Sequence, residues 1–218
     1  MNWKLWRAIP WVDTRSKFVS TVPASGSLLD LGSSDGGTLR HFAELRPDVS
    51  LSAADISGSP EAYPPGTDFR RADFERDALP WPDASFDAIT CMHVVEHLSS
   101  SRHLISEAAR LLKPGGGRLY VETPHPGTVT MASVSGKAAG SVTMNFFDDP
   151  THVRPVPIEE LQRLAEAVGM KPIASGTSRN LLFAAAFPVL RLLRPETRKR
   201  YVAQQHWIGW SVHLVTQR

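Results

Sequence analysis

Cysteine is nearly absent: Cys91 is the single thiol in 218 residues. One cysteine makes no intrachain disulfide and supplies no Cys/His zinc spacing, so a disulfide scaffold and a zinc module are excluded. A reducing, cytoplasmic setting is the expectation. Long apolar runs are missing too. The longest, Leu181 to Leu190, is too short to cross a bilayer and carries Pro188. No secretory leader is read at the start, where Trp3, Trp6 and Trp11 stand among basic residues instead of an apolar core. Charge of one sign is also scarce, with 24 basic residues against 22 acidic ones and a net charge of +2. The local basic cluster of Arg191, Arg194, Arg198, Lys199 and Arg200 lacks interleaved aromatics, so nucleic acid is not the expected acceptor.

What is present is an alternation of strand-like and helix-like segments, the pattern of a parallel sheet covered by helices. Strands are expected at Ser27–Leu31, Leu51–Ile56, Asp68–Ala72, Phe86–Met92 and Arg118–Glu122, with the last two at Lys171–Ala174 and Trp207–Val215. Apolar residues recur at helical spacing in Thr38–Leu45, around Leu104 to Leu112, and in Ile158–Val168, where Pro157 precedes the start and Gly169 follows the end. Residues 1–218 read as a single domain: a lid or cap segment over 1–24, a core over 25–124, a long substrate loop over 125–156, and an insert over 180–204 before the last strand. The loop is rich in Gly, Ser and Thr, as lids and binding loops are.

The segment Leu28 to Leu39, LLDLGSSDGGTL, runs from the first strand into a turn with little side chain. Such a turn, at the carboxyl edge of the sheet, is where ligands bind. The dinucleotide pattern G-x-G-x-x-G is broken by Ser34 at its second glycine, which weighs against a nicotinamide cofactor. No Gly-Lys-Ser/Thr follows, so a phosphate-cradling Walker loop is excluded. Asp30 beside the turn repels phosphates and suits an ammonium or sulfonium. Asp55 ends the second strand at about the ~20-residue offset where an acid takes ribose hydroxyls.

These segments, with "AADIS", "ADFERDALPWPDASFDAITCMHVVEHL" and "EAARLLKPGGGRLYVETP" in that order, resemble the class I S-adenosylmethionine-dependent methyltransferases over about Ser25 to Pro124. The resemblance implies a Rossmann-like α/β fold with helices on both faces of a seven-stranded, mostly parallel sheet whose last strand is antiparallel. It implies S-adenosyl-L-methionine as cofactor and S-adenosyl-L-homocysteine as product. By position, Asp30, Gly32, Ser33 and Gly36 would line the methionine and ribose side. Asp55 would bind the ribose hydroxyls and Ile56 would pack on the adenine. Asp73 and Phe74 would meet the adenine amino group, and Met92 and His93 would floor the amino-acid end. Ser34 departs from the glycine that many members carry there.

Methyl transfer from a sulfonium asks chiefly for in-line positioning, but a hydroxyl acceptor gains from a general base. Among eight histidines, His125 after the fifth strand and His152 at the end of the long loop are the leading candidates. His97, in the Glu96–His97 pair, is a further candidate whose first reading is architectural. His41 and His103 are expected to be solvated. Asp148, Asp149 and His152 form a conceivable cation group, but loop acids of this kind read first as turn formers, and no metal is expected.

The stretch from Asn145 to Met170 resembles the corresponding part of methyltransferases from glycan and natural-product pathways, which points to O-methylation of a sugar-like or other small-molecule hydroxyl. The alternatives are N- or C-methylation of a small aromatic or quinone-type acceptor, and a catalytically silent cofactor-binding subunit. Tryptophan beside basic residues at both ends also suits weak contact with a membrane surface, although packing within the fold is the favoured reading.

Overall fold

Alternation within the strands explains the layers. In β1 (Ser27–Leu31), Leu28 points to one face of the sheet while Leu29 and Leu31 point to the other, and all three are fully buried. Leu28 joins Leu39 and Phe42 of α2 (Gly37–Leu45) and Phe18 of α1 (Thr14–Ser20). Leu29 and Leu31 join Leu104, Ile105 and Ala108 of α3 (Arg102–Leu111) and Leu161 of α4 (Ile158–Ala167). Each such Leu or Ile withdrawn from water contributes about 1.5–3 kcal/mol, which sets two cores around one sheet. The structure, a computed structural model, describes residues 7–218.

The sheet has seven strands in the order β3-β2-β1-β4-β5-β7-β6. Strands β2 (Ser50–Asp55), β3 (Asp68–Arg71), β4 (Ala88–Met92) and β5 (Arg118–Pro124) run parallel with β1. The final strand, β7 (Ser211–Gln217), is inserted antiparallel between β5 and β6 (Lys171–Ser178). The Rossmann-like arrangement expected from the sequence is therefore present. Between β2 and β4 the order reverses at β1, and the crevice at that point is where such sheets take ligands. Pro124, Ser178 and Ser211 pair at one level, so the end of β6 and the start of β7 share the carboxyl edge of β5.

Several boundaries differ from the expectation. Trp207 and Ile208 belong to α6 (Arg198–Ile208), not to the last strand, because Gly209 at φ +73° caps the helix and releases the chain two residues later. Strand β6 continues past Ala174 to Ser178 because β7 pairs with it throughout, with an irregularity between Pro172 and Ala174. Phe86 makes one bridge to Leu112 ahead of β4. The insert is a helical hairpin, α5 (Leu181–Leu193) against α6, and Pro188 sits inside α5. Trp3, Lys4 and Trp6 lie outside the described residues.

Helix α1 had no sequence signal beyond its position in the leading segment. Asp13 caps it by accepting from the Ser16 amide at 2.8 Å, and Asn180, which caps α5, donates to the other Asp13 oxygen at 3.2 Å. One pair of caps thus fastens the N-terminal helix to the hairpin. His41 is buried, not solvated: it lies on the α2 face that packs under α1, 3.4 Å from the Ser16 hydroxyl, and burial lowers its pKa to about 4. His103 is half-buried, 2.9 Å from the Asp77 carbonyl.

Candidate cofactor and acceptor site

The turn after β1 takes three left-handed residues, Gly32 at φ +79°, Ser34 at φ +46° and Gly36 at φ +73°. A Cβ on Gly32 would stand 2.1 Å from Val94 Cγ2, and one on Gly36 would stand 2.5 Å from the Ala62 carbonyl. Ser34 thus adopts the backbone that glycine adopts more easily, a strain of about 1–3 kcal/mol. Its surroundings fix it there: its amide donates to Asp55 Oδ2 at 2.8 Å, and its carbonyl accepts from the Tyr63 hydroxyl at 3.1 Å. Ser33 is buried, donating to Tyr63 at 2.9 Å, so it shapes the turn from beneath.

Asp55 is held from two sides, since its other oxygen accepts from the Ser57 amide at 2.9 Å. Beside it opens a cleft of about 370 Å³ lined by Gly32, Asp55, Ile56, Asp73, Phe74 and His93, with Ser34, Val94 and His97. Six of the ten sequence-derived cofactor positions are therefore in its wall. Ile56 is 64% exposed, an apolar side chain offered to a flat partner. Asp30, Ser33 and Gly36 are buried behind the surface, and Met92 is partly buried against the core beside α2. Asp30 is buried and accepts from Thr90 Oγ1 at 2.6 Å; burial raises its pKa to about 7 against that hydrogen bond.

Beyond the cleft lies a charged cluster that sequence reasoning only partly found. His93 follows β4 at φ +56°, with Nδ1 3.0 Å from Glu96 Oε1 and Nε2 3.3 Å from Glu122 Oε1. Burial opposes its charge, but the two carboxylates outweigh it and hold the pKa at about 9. Arg15 of α1 donates through Nε to Glu122 Oε2 at 2.9 Å and through Nη2 to Oε1. Tyr120 and Ser178 each donate to Glu122 at 2.7 Å. Burial would lift the Glu122 carboxyl, yet Arg15 and His93 keep it well below its ordinary range. Two cations thus balance two buried carboxylates. Glu122 was legible only as an acid inside an apolar strand; Arg15, separated from it by 107 residues, had no local signal.

The three candidate bases separate. His97 and His152 come together, ring centroids 4.8 Å apart. The His97 Nδ1 faces Thr151 Oγ1 at 2.9 Å, while that hydroxyl donates to Asp149 Oδ1, so the imidazole N–H points at Thr151. The His152 Nδ1 donates to the Phe146 carbonyl at 2.6 Å. Both rings keep Nε2 as the acceptor. His125 stands exposed at the end of β5, where its Nδ1 accepts from the Gly127 amide at 2.9 Å and orders the turn that follows. Asp148 and Asp149 close turns, accepting from the Met144, Asn145 and Thr151 amides. The metal-capable group among the described residues is instead Glu96, His97 and His152, whose ligand atoms lie within 4.8 Å of one another.

A glycine turn at the switch point, an acid at the end of β2 and an antiparallel seventh strand define the class I S-adenosylmethionine-dependent methyltransferases. The profile of a methyltransferase domain matches residues 5–175, and the chain belongs to that family. Its cofactor is S-adenosyl-L-methionine: a left-handed glycine whose Cβ space is closed, an acid held at the end of β2 and an exposed apolar side chain fit that molecule. The 27-O-demethylrifamycin SV methyltransferase of Amycolatopsis mediterranei is 35% identical over 101 residues, 43% of this chain and 37% of that protein. The ubiquinone/menaquinone biosynthesis C-methyltransferase of Hahella chejuensis is 30% identical over 118 residues, 49% of this chain and 47% of that one. The chain thus spans less than half the length of either relative. In fold, an S-adenosylmethionine-dependent methyltransferase from Mesorhizobium loti superposes with a TM-score of 0.63 at 16% identity, covering 94% of this chain and 97% of that one.

Proposed function

We propose that this methyltransferase acts on a hydroxyl oxygen of a small, sugar-like or otherwise hydroxylated acceptor. The observation that carries this reading is the His97–His152 pair, with His97 in the cleft wall and both rings oriented through Nδ1 so that Nε2 is the proton acceptor. A hydroxyl needs such a base, whereas an amine already deprotonated does not. When bound, S-adenosylmethionine supplies a methyl group activated by the sulfonium charge. The chain's own residues do the rest. Asp55 would accept from the ribose hydroxyls, Ile56 and Phe74 would flank the adenine, and Asp73 would take its amino group. Asp30 would attract the cationic end from beneath the turn, and Arg15, held by Glu122, would draw the carboxylate of the methionine part. Nε2 of His97 would take the proton of the acceptor hydroxyl as the methyl carbon leaves sulfur, which keeps the bonding pair as S-adenosyl-L-homocysteine, for that oxygen. His93, already protonated at neutral pH, positions Glu96 and Glu122.

The loop over 125–156 and the α5–α6 hairpin roof the acceptor side. The resemblance to a rifamycin O-methylating relative supports an oxygen acceptor; the quinone C-methylating relative supports the second reading, a ring carbon. A silent subunit would bind cofactor without turnover. Calorimetric titration with S-adenosylmethionine and S-adenosylhomocysteine, with NAD as control, comes first. Binding that weakens about tenfold to a hundredfold in Asp55→Ala, as expected for hydrogen bonds to a charged group, assigns Asp55 its role. An acceptor screen then separates products, since an oxygen-bound methyl and a carbon-bound methyl differ in their carbon NMR shift. Turnover confined to carbon acceptors overturns the proposal.

A further inference from the structure

Helix α5 leaves an apolar face uncovered. Ala184 and Phe187 face inward, where Phe187 meets Trp207 of α6 at 5.9 Å between ring centroids. At helical spacing on the outer side come Leu181 and Leu182, 46% and 54% exposed, then Val189 at 56% and Leu192 at 81%, with Leu193 beside it at 71%. Trp207 and Ile208 of α6 are exposed as well. A row of large apolar side chains this open marks a docking surface, not an ordinary helix exterior.

Charge says what docks there. From Leu181 to Ile208 the only carboxylate is Glu196, against Arg191, Arg194, Arg198, Lys199 and Arg200. Arg191 and Arg194 bracket the two most exposed leucines, and among the described residues Arg191, Arg194 and Lys199 form no ion pair. A second copy packed symmetrically on this face would set these cations against themselves. An anionic bilayer presents the complementary charge and an apolar interior below it. Among the described residues no helix is long and apolar enough to cross a membrane, so the hairpin would lie in the interface plane.

We propose that the α5–α6 hairpin seats the protein on an anionic lipid surface, with Leu192 and Leu193 immersed and the arginines at the headgroups. The hairpin leaves the sheet between Ser178 and Ser211, at the edge where the cofactor cleft opens. It also grips the long loop: Gln205 donates to the Thr143 carbonyl at 2.8 Å and Arg198 to the Ser141 carbonyl at 3.0 Å, and just past the hairpin Trp210 donates to the Met144 carbonyl at 2.8 Å. A seated hairpin thus brings the acceptor side to the lipid, whatever atom is methylated.

The test is co-sedimentation of the full chain with vesicles of phosphatidylcholine alone and of phosphatidylcholine mixed with phosphatidylglycerol. The expected result is partitioning onto the mixed vesicles, much less onto neutral ones, and weakening with added salt. Leu192→Glu with Leu193→Glu, and separately Arg191→Glu with Arg194→Glu, lower partitioning about tenfold or more, while calorimetric affinity for S-adenosylmethionine stays at the unaltered protein's value. Absence of vesicle binding by the unaltered protein overturns the proposal, as does binding indifferent to both double variants. A dimer in light scattering that the leucine variants split into monomers assigns the face to a second copy and overturns it equally.

Discussion

Arg15 and Glu122 form a two-point hydrogen-bonded ion pair between the first helix and the middle of the sheet, and the Glu122 side chain is 1% exposed. The pair is how α1 comes to stand beside the carboxyl edge. Without Arg15, Glu122 keeps Tyr120, Ser178 and His93 but loses its strongest counter-charge. Arg15→Met should therefore destabilise the protein by about 2–3 kcal/mol, toward the low end for a broken buried pair because Arg15 is itself 34% exposed. Glu122→Gln should lose at least as much, because its amide has one accepting oxygen and its NH2 would face donors that now meet a carboxylate oxygen. Urea unfolding of both variants measures this, and equal stability of Arg15→Met and the parent would overturn it.

His93 gives the stability a pH dependence whose sign is fixed. Its pKa is 6.5 ordinarily and about 9 in the fold, so the folded chain keeps a proton that the unfolded chain releases. That stabilisation is complete below pH 6.5 and is lost as pH rises through 9. Asp30, raised from 3.8 to about 7, also loses stability with rising pH, but its change is finished near 7. His41, lowered to about 4, acts oppositely, gaining stability as pH rises from 4 to 6.5. Between pH 7 and 9 the melting temperature should therefore fall, and His93→Gln should flatten that decline.

Gly32 and Val94 are opposed across the cleft wall. Gly32→Ala places a methyl 2.1 Å from Val94 Cγ2 on a backbone at φ +79°, so both contact and conformation resist it. Unfolding should show a loss of about 2–4 kcal/mol, part of it steric overpacking and about 1–2 kcal/mol of it the left-handed backbone. Adding Val94→Ala should recover the steric part and leave the backbone part. Cofactor affinity should follow the same order, measured calorimetrically.

These relationships show which parts of the fold the sequence carried. Strand β1, its glycine turn and Asp55 were legible because local chemistry decides them: apolar alternation, positive φ and a carboxylate at a strand end. The end of β6 was not, because its pairing with β7 is a long-range event that no local period announces. Trp207 looked like strand because it is aromatic beside β-branched residues, while the decisive signal was Gly209 two positions on. Arg15 was invisible for the reason that Glu122 was half-visible. A buried acid inside YVETP advertises a missing partner, but nothing near it in the chain names one. His97 and His152 were each singled out, yet their meeting depends on the loop that returns His152 over the turn at Val95–His97, where the Val153 amide donates to the Glu96 carbonyl at 2.8 Å.

That meeting yields a final prediction, because the same two rings are suited either to a proton or to a metal ion. Their Nδ1 atoms donate to loop oxygens, the arrangement metal-bound imidazoles also use. Glu96 decides between the two. Its Oε1 accepts from His93 and its Oε2 from Thr123 Oγ1 at 3.1 Å, so both oxygens are already engaged although one lies within 4.8 Å of the two rings. Turnover with a hydroxyl acceptor should therefore survive chelation by EDTA. His97→Ala should lower kcat about a hundredfold or more and leave cofactor affinity unchanged, the loss expected for a general base. His152→Ala should cost less, about tenfold, by freeing the loop carbonyl of Phe146 and the ring that packs on His97. Activity abolished by EDTA and restored by a divalent ion would give the pair to a metal.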